Sequence, residues 1–239
     1  MRLLIEQGSD IAAKDERLST PLHLASSFWF PEIVRLLIER GSDVTAKDGS
    51  LSTPLHIASS SGIAEVVHLL IEQGSDLAAK DESLSTPLHL ALSSGFPEIA
   101  RLLIEHGADV TSLDESRRTP LHLALSRVSA KATSLLFCHR LHVHPQNDLS
   151  LSDEKDDMVG LLIDHGADVA AQDENHSTPL HLAASSGSVD TVRLLIRHGA
   201  DVTAQDKSNK TPLHSASSKV SSRSPTLVIS NISLMQMDS

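Results

Sequence analysis

The stretch TPLHIASSSGIAEVVHLLIEQGSDLAAKDESLS, residues 53–85, decides the fold. Its first four residues recur at Thr20, Thr86, Thr119, Thr178 and Thr211, and every interval but one is 33 residues. Self-similarity at such a period outranks local signals, because it marks supersecondary units that stack. Thr53 is placed to cap a helix, its hydroxyl accepting from an otherwise unpartnered backbone N–H. Pro54 then falls at the first helical position, where its fixed φ helps and its missing N–H costs nothing. Leu55 and Ala58 share one face and are expected to be buried. SSSG ends this helix, and a second begins near Ala64.

Glu65 lies in the first turn of that second helix, facing the positive end of its dipole. Glu32, Glu98, Asp157 and Asp190 hold the same place in other copies. Val66, Leu69 and Leu70 form an i, i+3, i+4 apolar stripe. Gly74 is expected to close the helix in the left-handed conformation, and Gly41, Gly107, Gly166 and Gly199 repeat it. The SDLAAKDESLS that follows reads as extended and turn-rich. One helix pair cannot bury its own apolar face; a stack can, so stability is expected from the array.

Composition narrows the function classes. Apolar residues make up 40% of the 239, but aromatics only 2%, so the core must be Leu, Ile, Val and Ala. Cys138 stands alone, which rules out an intramolecular disulfide and fits a reducing compartment. The formal charge of −11 argues against nucleic-acid binding, which starts from clustered Lys and Arg. No apolar run approaches the roughly 20 residues of a membrane helix, and MRLLIEQGSD turns polar too soon for a signal peptide. The expectation is an intracellular chain, cytoplasmic or nuclear, that meets neither membrane nor nucleic acid.

TPLHLA, EIVRLLIE and GSDV, repeated in phase, resemble the ankyrin repeat. The resemblance covers about residues 1–218 and implies an all-α repeat solenoid of stacked helix pairs with projecting β-hairpin loops. The array is read as 1–219: a partial repeat 1–19; repeats 20–52, 53–85, 86–118, 119–177 and 178–210; and a partial repeat 211–219. Residues 220–239 form a divergent tail expected to be disordered. In one respect the chain departs from the family, which usually carries Gly two residues before the Thr. Leu18, Leu51, Leu84, Arg117, His176 and Asn209 stand there. Asn and His tolerate positive φ better than Leu, so residue type leaves the tip geometry of the first three fingers open.

Six of the 14 histidines close a TPLH motif, three residues into a helix, where a side chain can reach back to the cap. The pairs Thr20–His23, Thr53–His56, Thr86–His89, Thr119–His122, Thr178–His181 and Thr211–His214 are therefore structural, as the resemblance also implies. His106, His165 and His198 precede the closing glycines and suit a helix C-terminus. CHRLHVH places Cys138, His139, His142 and His144 close together, a donor set for zinc or copper, but its spacing matches no paired-ligand motif. No nucleophile elbow, phosphate loop or dinucleotide motif appears, so neither enzyme activity nor a cofactor is expected.

The resemblance implies that a partner protein meets the loop tips and the exposed side of the first helices. Carried over by position, the first candidates are Lys14, Glu16, Arg17, Ser19, Ser27 and Phe28. Lys47, Ser50, Ser52, Ser60 and Ser61 come next, then Lys80, Glu82, Ser83, Ser85, Ser93 and Ser94. Glu115, Arg118, Glu174, Asn175, Ser177, Lys207 and Lys210 complete the set. Phe28, Trp29 and Phe30 hold three of the five aromatics and form either a partner anchor or a packing face for a preceding repeat. The function expected is a non-catalytic protein-binding scaffold. The alternatives are a recognition segment of a larger enzyme or channel, and a metal-responsive protein using Cys138–His144.

The array is interrupted once. The copy due at residue 152 arrives at Thr178, so 26 residues, 128–153, are inserted at the turn inside the fourth repeat. Met1 aligns with Val34, and the tail offers no second helix, so a piece of a longer array is expected. Both departures begin nine residues after a repeat's Thr and open with Val-Ser, at Val128 and Val220. Val-Ser can be encoded GTA AGT, the start of an intron. Both segments are expected to be translated introns, with a genuine loop and divergent tail as the alternative.

Overall fold

The computed structural model describes residues 8–126 and 151–218, with the side chains of 151–156 left out. The Cys138–His144 cluster, most of the 128–153 insertion and the 220–239 tail lie outside the described residues. The chain divides into two compact halves, residues 1–115 and 116–239.

In the amino-terminal half, helix pairs follow one another: α1 (Pro21–Ser26) and α2 (Pro31–Glu39), α3 (Pro54–Ser61) and α4 (Ala64–Glu72), α5 (Pro87–Ser93) and α6 (Pro97–Glu105). First helices stack, α1 on α3 and α3 on α5, and second helices stack beside them. Equivalent leucines, Leu22, Leu55 and Leu88, are wholly buried in the stack. The carboxy-terminal half holds α7 (Pro120–Leu125), α8 (Leu151–Asp164), α9 (Pro179–Ser186), α10 (Val189–Arg197) and α11 (Pro212–Ser217). There α9 packs between α7 and α11, burying Leu121 and Leu180.

Several expectations need correction. Leu69 is only half-buried, and Val67 takes its place beside Val66 and Leu70. The reason is that α4 touches α2, α3 and α6, so its buried face is wider than one stripe. The helix α8 starts at Leu151, three residues inside the expected insertion, and runs 14 residues where its counterparts run nine. Asp157 is therefore its seventh residue, away from the positive end that Glu32, Glu65, Glu98 and Asp190 occupy. No β-strand forms among the described residues, so the projecting loops are fingers without a ladder. The arm entering each tip is itself a turn: the Asp10 carboxylate accepts from Ala12 N–H, as Asp43 does from Thr45 and Asp76 from Ala78. That leaves too little extended chain to pair.

The helix ends follow the expected chemistry. Gly74 has φ +79°; its N–H donates to the Ile71 carbonyl at 2.9 Å and Ser75 N–H to Leu70 at 3.1 Å. The double bond satisfies two terminal carbonyls, and Gly41, Gly107, Gly166 and Gly199 repeat it. A Cβ at Gly74 would meet nothing within 4 Å, so any penalty there is purely conformational. Gly74→Ala is expected to lower stability by about 1 kcal/mol, read as a reduced urea midpoint; an unchanged midpoint would show that the turn relaxes freely.

Candidate protein-binding surface

Each finger tip is built by one aspartate. Asp15 carbonyl accepts from Leu18 N–H at 2.9 Å, and Asp15 N–H donates to the Ser19 carbonyl at 3.1 Å. The Asp15 carboxylate caps the inside of the turn, accepting from Arg17 N–H at 2.8 Å and Ser19 N–H at 2.9 Å. Asp48, Asp81, Asp173 and Asp206 make the same four bonds. Sequence reasoning gave these aspartates no role, although an Asp five residues before every TPLH threonine was a visible signal. The arrangement is a type I turn closed by a left-handed residue, a position that favours glycine. All six tips adopt it without one: φ lies between +56° and +59° at Leu18, Leu51, Leu84, Arg117, His176 and Asn209. The first three fingers therefore keep the shared geometry, because the carboxylate holds the turn from within.

Consecutive fingers are tied in register. Gly49 N–H donates to the Arg17 carbonyl at 2.7 Å, Glu82 N–H to Ser50 and Glu115 N–H to Ser83, each at 2.9 Å. In the carboxy-terminal half Glu174 N–H reaches Ser116 and Lys207 N–H reaches Asn175 by the same rule. Lysine side chains add a second tie: Lys14 Nζ donates to the Lys47 carbonyl, Lys47 Nζ to Lys80 and Lys80 Nζ to Leu113. Three candidate contact lysines are thus engaged within the array.

Histidines lock four of the fingers to the helix above them. Thr53 N–H donates to His56 Nδ1 at 3.2 Å, so the ring is the Nε2–H tautomer and donates to the Ser85 carbonyl at 3.1 Å. His23 to Ser52, His122 to Ser177 and His181 to Lys210 repeat the link. The Thr hydroxyl lies closest to the ring, 2.8 Å from His56 Nδ1. The expected hydroxyl cap on the helix N–H is the looser half of the motif, 3.5 Å at Thr86 and 3.4 Å at Thr119. Burial pushes the His56 imidazole below its ordinary value, against the opposing pull of the Ser85 carbonyl. Above the tips, the Thr45 hydroxyl and amide hold the Asp43 carboxyl below the usual range.

The remaining candidates separate by exposure. Glu16, Arg17, Ser50, Glu82, Ser83, Ser93, Glu115, Glu174, Asn175, Lys207 and the Lys210 side chain are exposed, as are Phe28 and Trp29. Arg118 is exposed too, while Ser27 and Ser60 are half-buried and donate to carbonyls one turn back in their own helices. Ser19, Ser52 and Ser85 are buried, a correction with a clear cause: their carbonyls accept the tip's N–H, and two also accept the histidine. Among the described residues no group of three His, Cys, Asp or Glu side chains could hold a metal ion, and no helix is long and apolar enough to cross a membrane.

Stacked helix pairs joined by registered fingers define a repeat solenoid of the kind that presents a continuous binding surface. The family model for ankyrin repeats, in three copies, matches residues 1–81, 55–147 and 149–229, and the chain belongs to the ankyrin-repeat family. Among solved structures it resembles the crystal structure of the ankyrin repeat domain of Bcl-3, described as a unique member of the IkappaB protein family. The identity is 30% and the TM-score 0.70, over 97% of this chain and 90% of that one. No curated protein matches the sequence. Ankyrin repeats are, in general, protein–protein interaction modules.

Proposed function

We propose that this array is a non-catalytic scaffold whose partner is another protein, bound across the finger tips, in the cytoplasm or nucleus. The observation that carries this reading is the finger architecture. Backbone bonds and internal carboxylates hold the tips in register, which leaves Glu16, Ser50, Glu82, Ser83 and Glu115 outward and exposed. Such a surface has little ordering entropy to lose on binding. The acidic balance and the lone cysteine support a protein partner in a reducing compartment over nucleic acid.

The test is affinity capture with the full chain, repeated with two charge-reversed variants of equal helicity. Glu16→Arg/Glu82→Arg/Glu115→Arg alters the tips, whereas Glu32→Arg/Glu65→Arg/Glu98→Arg alters the second helices. The tip variant is expected to lose the captured protein and the helix variant to retain it. The opposite result would move the interface to the second helices.

A further inference from the structure

Leu18, Leu51 and Leu84 occupy a backbone conformation that disfavours them, and half-burial offsets only part of that cost. Their φ values are +58°, +58° and +56°, and they are 51%, 48% and 48% exposed. Asn209, at the same place in the last finger, shows that this turn accepts a polar residue suited to positive φ. Three consecutive fingers thus keep an apolar side chain, half in water, where a less strained residue fits. Backbone strain held at an exposed position is a pointer to function, and here it recurs with the period of the array.

The three leucines are also prealigned. Each follows a residue whose carbonyl anchors the next finger: Arg17 before Leu18, Ser50 before Leu51, Ser83 before Leu84. The fingers ride on α1, α3 and α5, which pack directly on one another, so successive leucines stand roughly 8–10 Å apart. A polyproline-type segment has three residues per turn and advances about 9 Å per turn. Its every third side chain therefore faces one way at the spacing of the leucine row. Residues 1–115 hold 18 acidic and eight basic residues, and a half so negative draws in cationic partners.

We propose that the Leu18–Leu51–Leu84 row is a docking site for an extended, basic segment of another protein, with apolar side chains at every third position and Lys or Arg between them. This rests on the tip-binding scaffold above and names the chemistry of its partner. The leucines supply apolar contact and set the register; the surrounding charge speeds the encounter.

The probe is a fluorescein-labelled peptide of five Leu-Lys-Pro triplets, titrated against the full chain by anisotropy. Peptides with Ser for Leu, with Glu for Lys, or with the leucines moved out of the three-residue register are expected to bind at least tenfold more weakly. Leu18→Gly/Leu51→Gly/Leu84→Gly keeps every charge and relieves the backbone, so it should stay folded and still bind the Leu-Lys-Pro probe at least tenfold more weakly. A Leu→Asn triple variant should do the same. Raising the salt should slow association more than it speeds dissociation. Equal affinity of the Leu→Gly variant and the unaltered chain would overturn the proposal, as would equal affinity for the in-register and shifted peptides. If tip charge reversal still abolishes the captured partner in those cases, the scaffold reading stands and only the leucine row falls.

Discussion

His56→Ala is expected to destabilise the array by roughly 2–4 kcal/mol, because it leaves the buried Thr53 N–H without an acceptor and takes from the Ser85 carbonyl one of its two donors, Asp81 N–H being the other. The ring is wholly buried, so no water replaces it without opening the stack. Urea unfolding followed by circular dichroism reads the loss, and His56→Gln, with both a donor and an acceptor, should recover part of it. A drop below about 1 kcal/mol would mean that the finger re-forms its bonds elsewhere. The same geometry sets a pH dependence. The folded pKa lies below the unfolded 6.5, so the unfolded chain binds the proton that the folded chain refuses. This contribution is complete above pH 6.5 and is lost as pH falls below it, at no more than about 1.4 kcal/mol per pH unit. His56→Ala should flatten that slope between pH 7 and 5; an unchanged slope would assign it to other groups.

Leu18→Gly/Leu51→Gly/Leu84→Gly is expected to work in the opposite direction and raise stability. A left-handed conformation costs an L-residue roughly 1–2 kcal/mol, and half of a leucine side chain's burial returns about 1 kcal/mol. The net gain is about 0–1 kcal/mol per finger, and the three sites lie far enough apart to add, giving about 1.5 kcal/mol. The control is the Leu→Ala triple variant, which forfeits the burial yet keeps the strain and should be destabilised. If alanine stabilises as much as glycine, the side chain and not the backbone was the burden. A chain that becomes more stable and binds less is the usual relation between strain and function.

Much of this architecture was legible in one 33-residue string. Pro54, the Thr53–His56 pair and Gly74 act through bonds within one helix or its cap, so their types and spacing sufficed to place both helices and their ends. The buried leucines followed from helical period alone. Less legible were features in which a residue's partner lies in another repeat. Val67 reads as off the stripe until α4 is seen against two neighbouring second helices. Lys14, Lys47 and Lys80 read as free surface charge until their amines meet the next finger's carbonyls.

The repeat, the helix pairs, their caps and the family can be read from residue types alone, because these rest on contacts a few residues apart, copied at a fixed period. The fingers, by contrast, depend on bonds between neighbouring repeats. Leu18, Leu51 and Leu84 have no intrinsic preference for positive φ, and no local rule predicts that they adopt it. They do so because the Asp carboxylate and the inter-finger bond, joined at Leu51 and Leu84 by the histidine from the helix above, over-determine the turn. Each of those bonds is weak alone, but together they outweigh a cost of one to two kcal/mol, roughly, per residue. That surplus lets a solvent-exposed apolar side chain stand where local chemistry would have placed glycine.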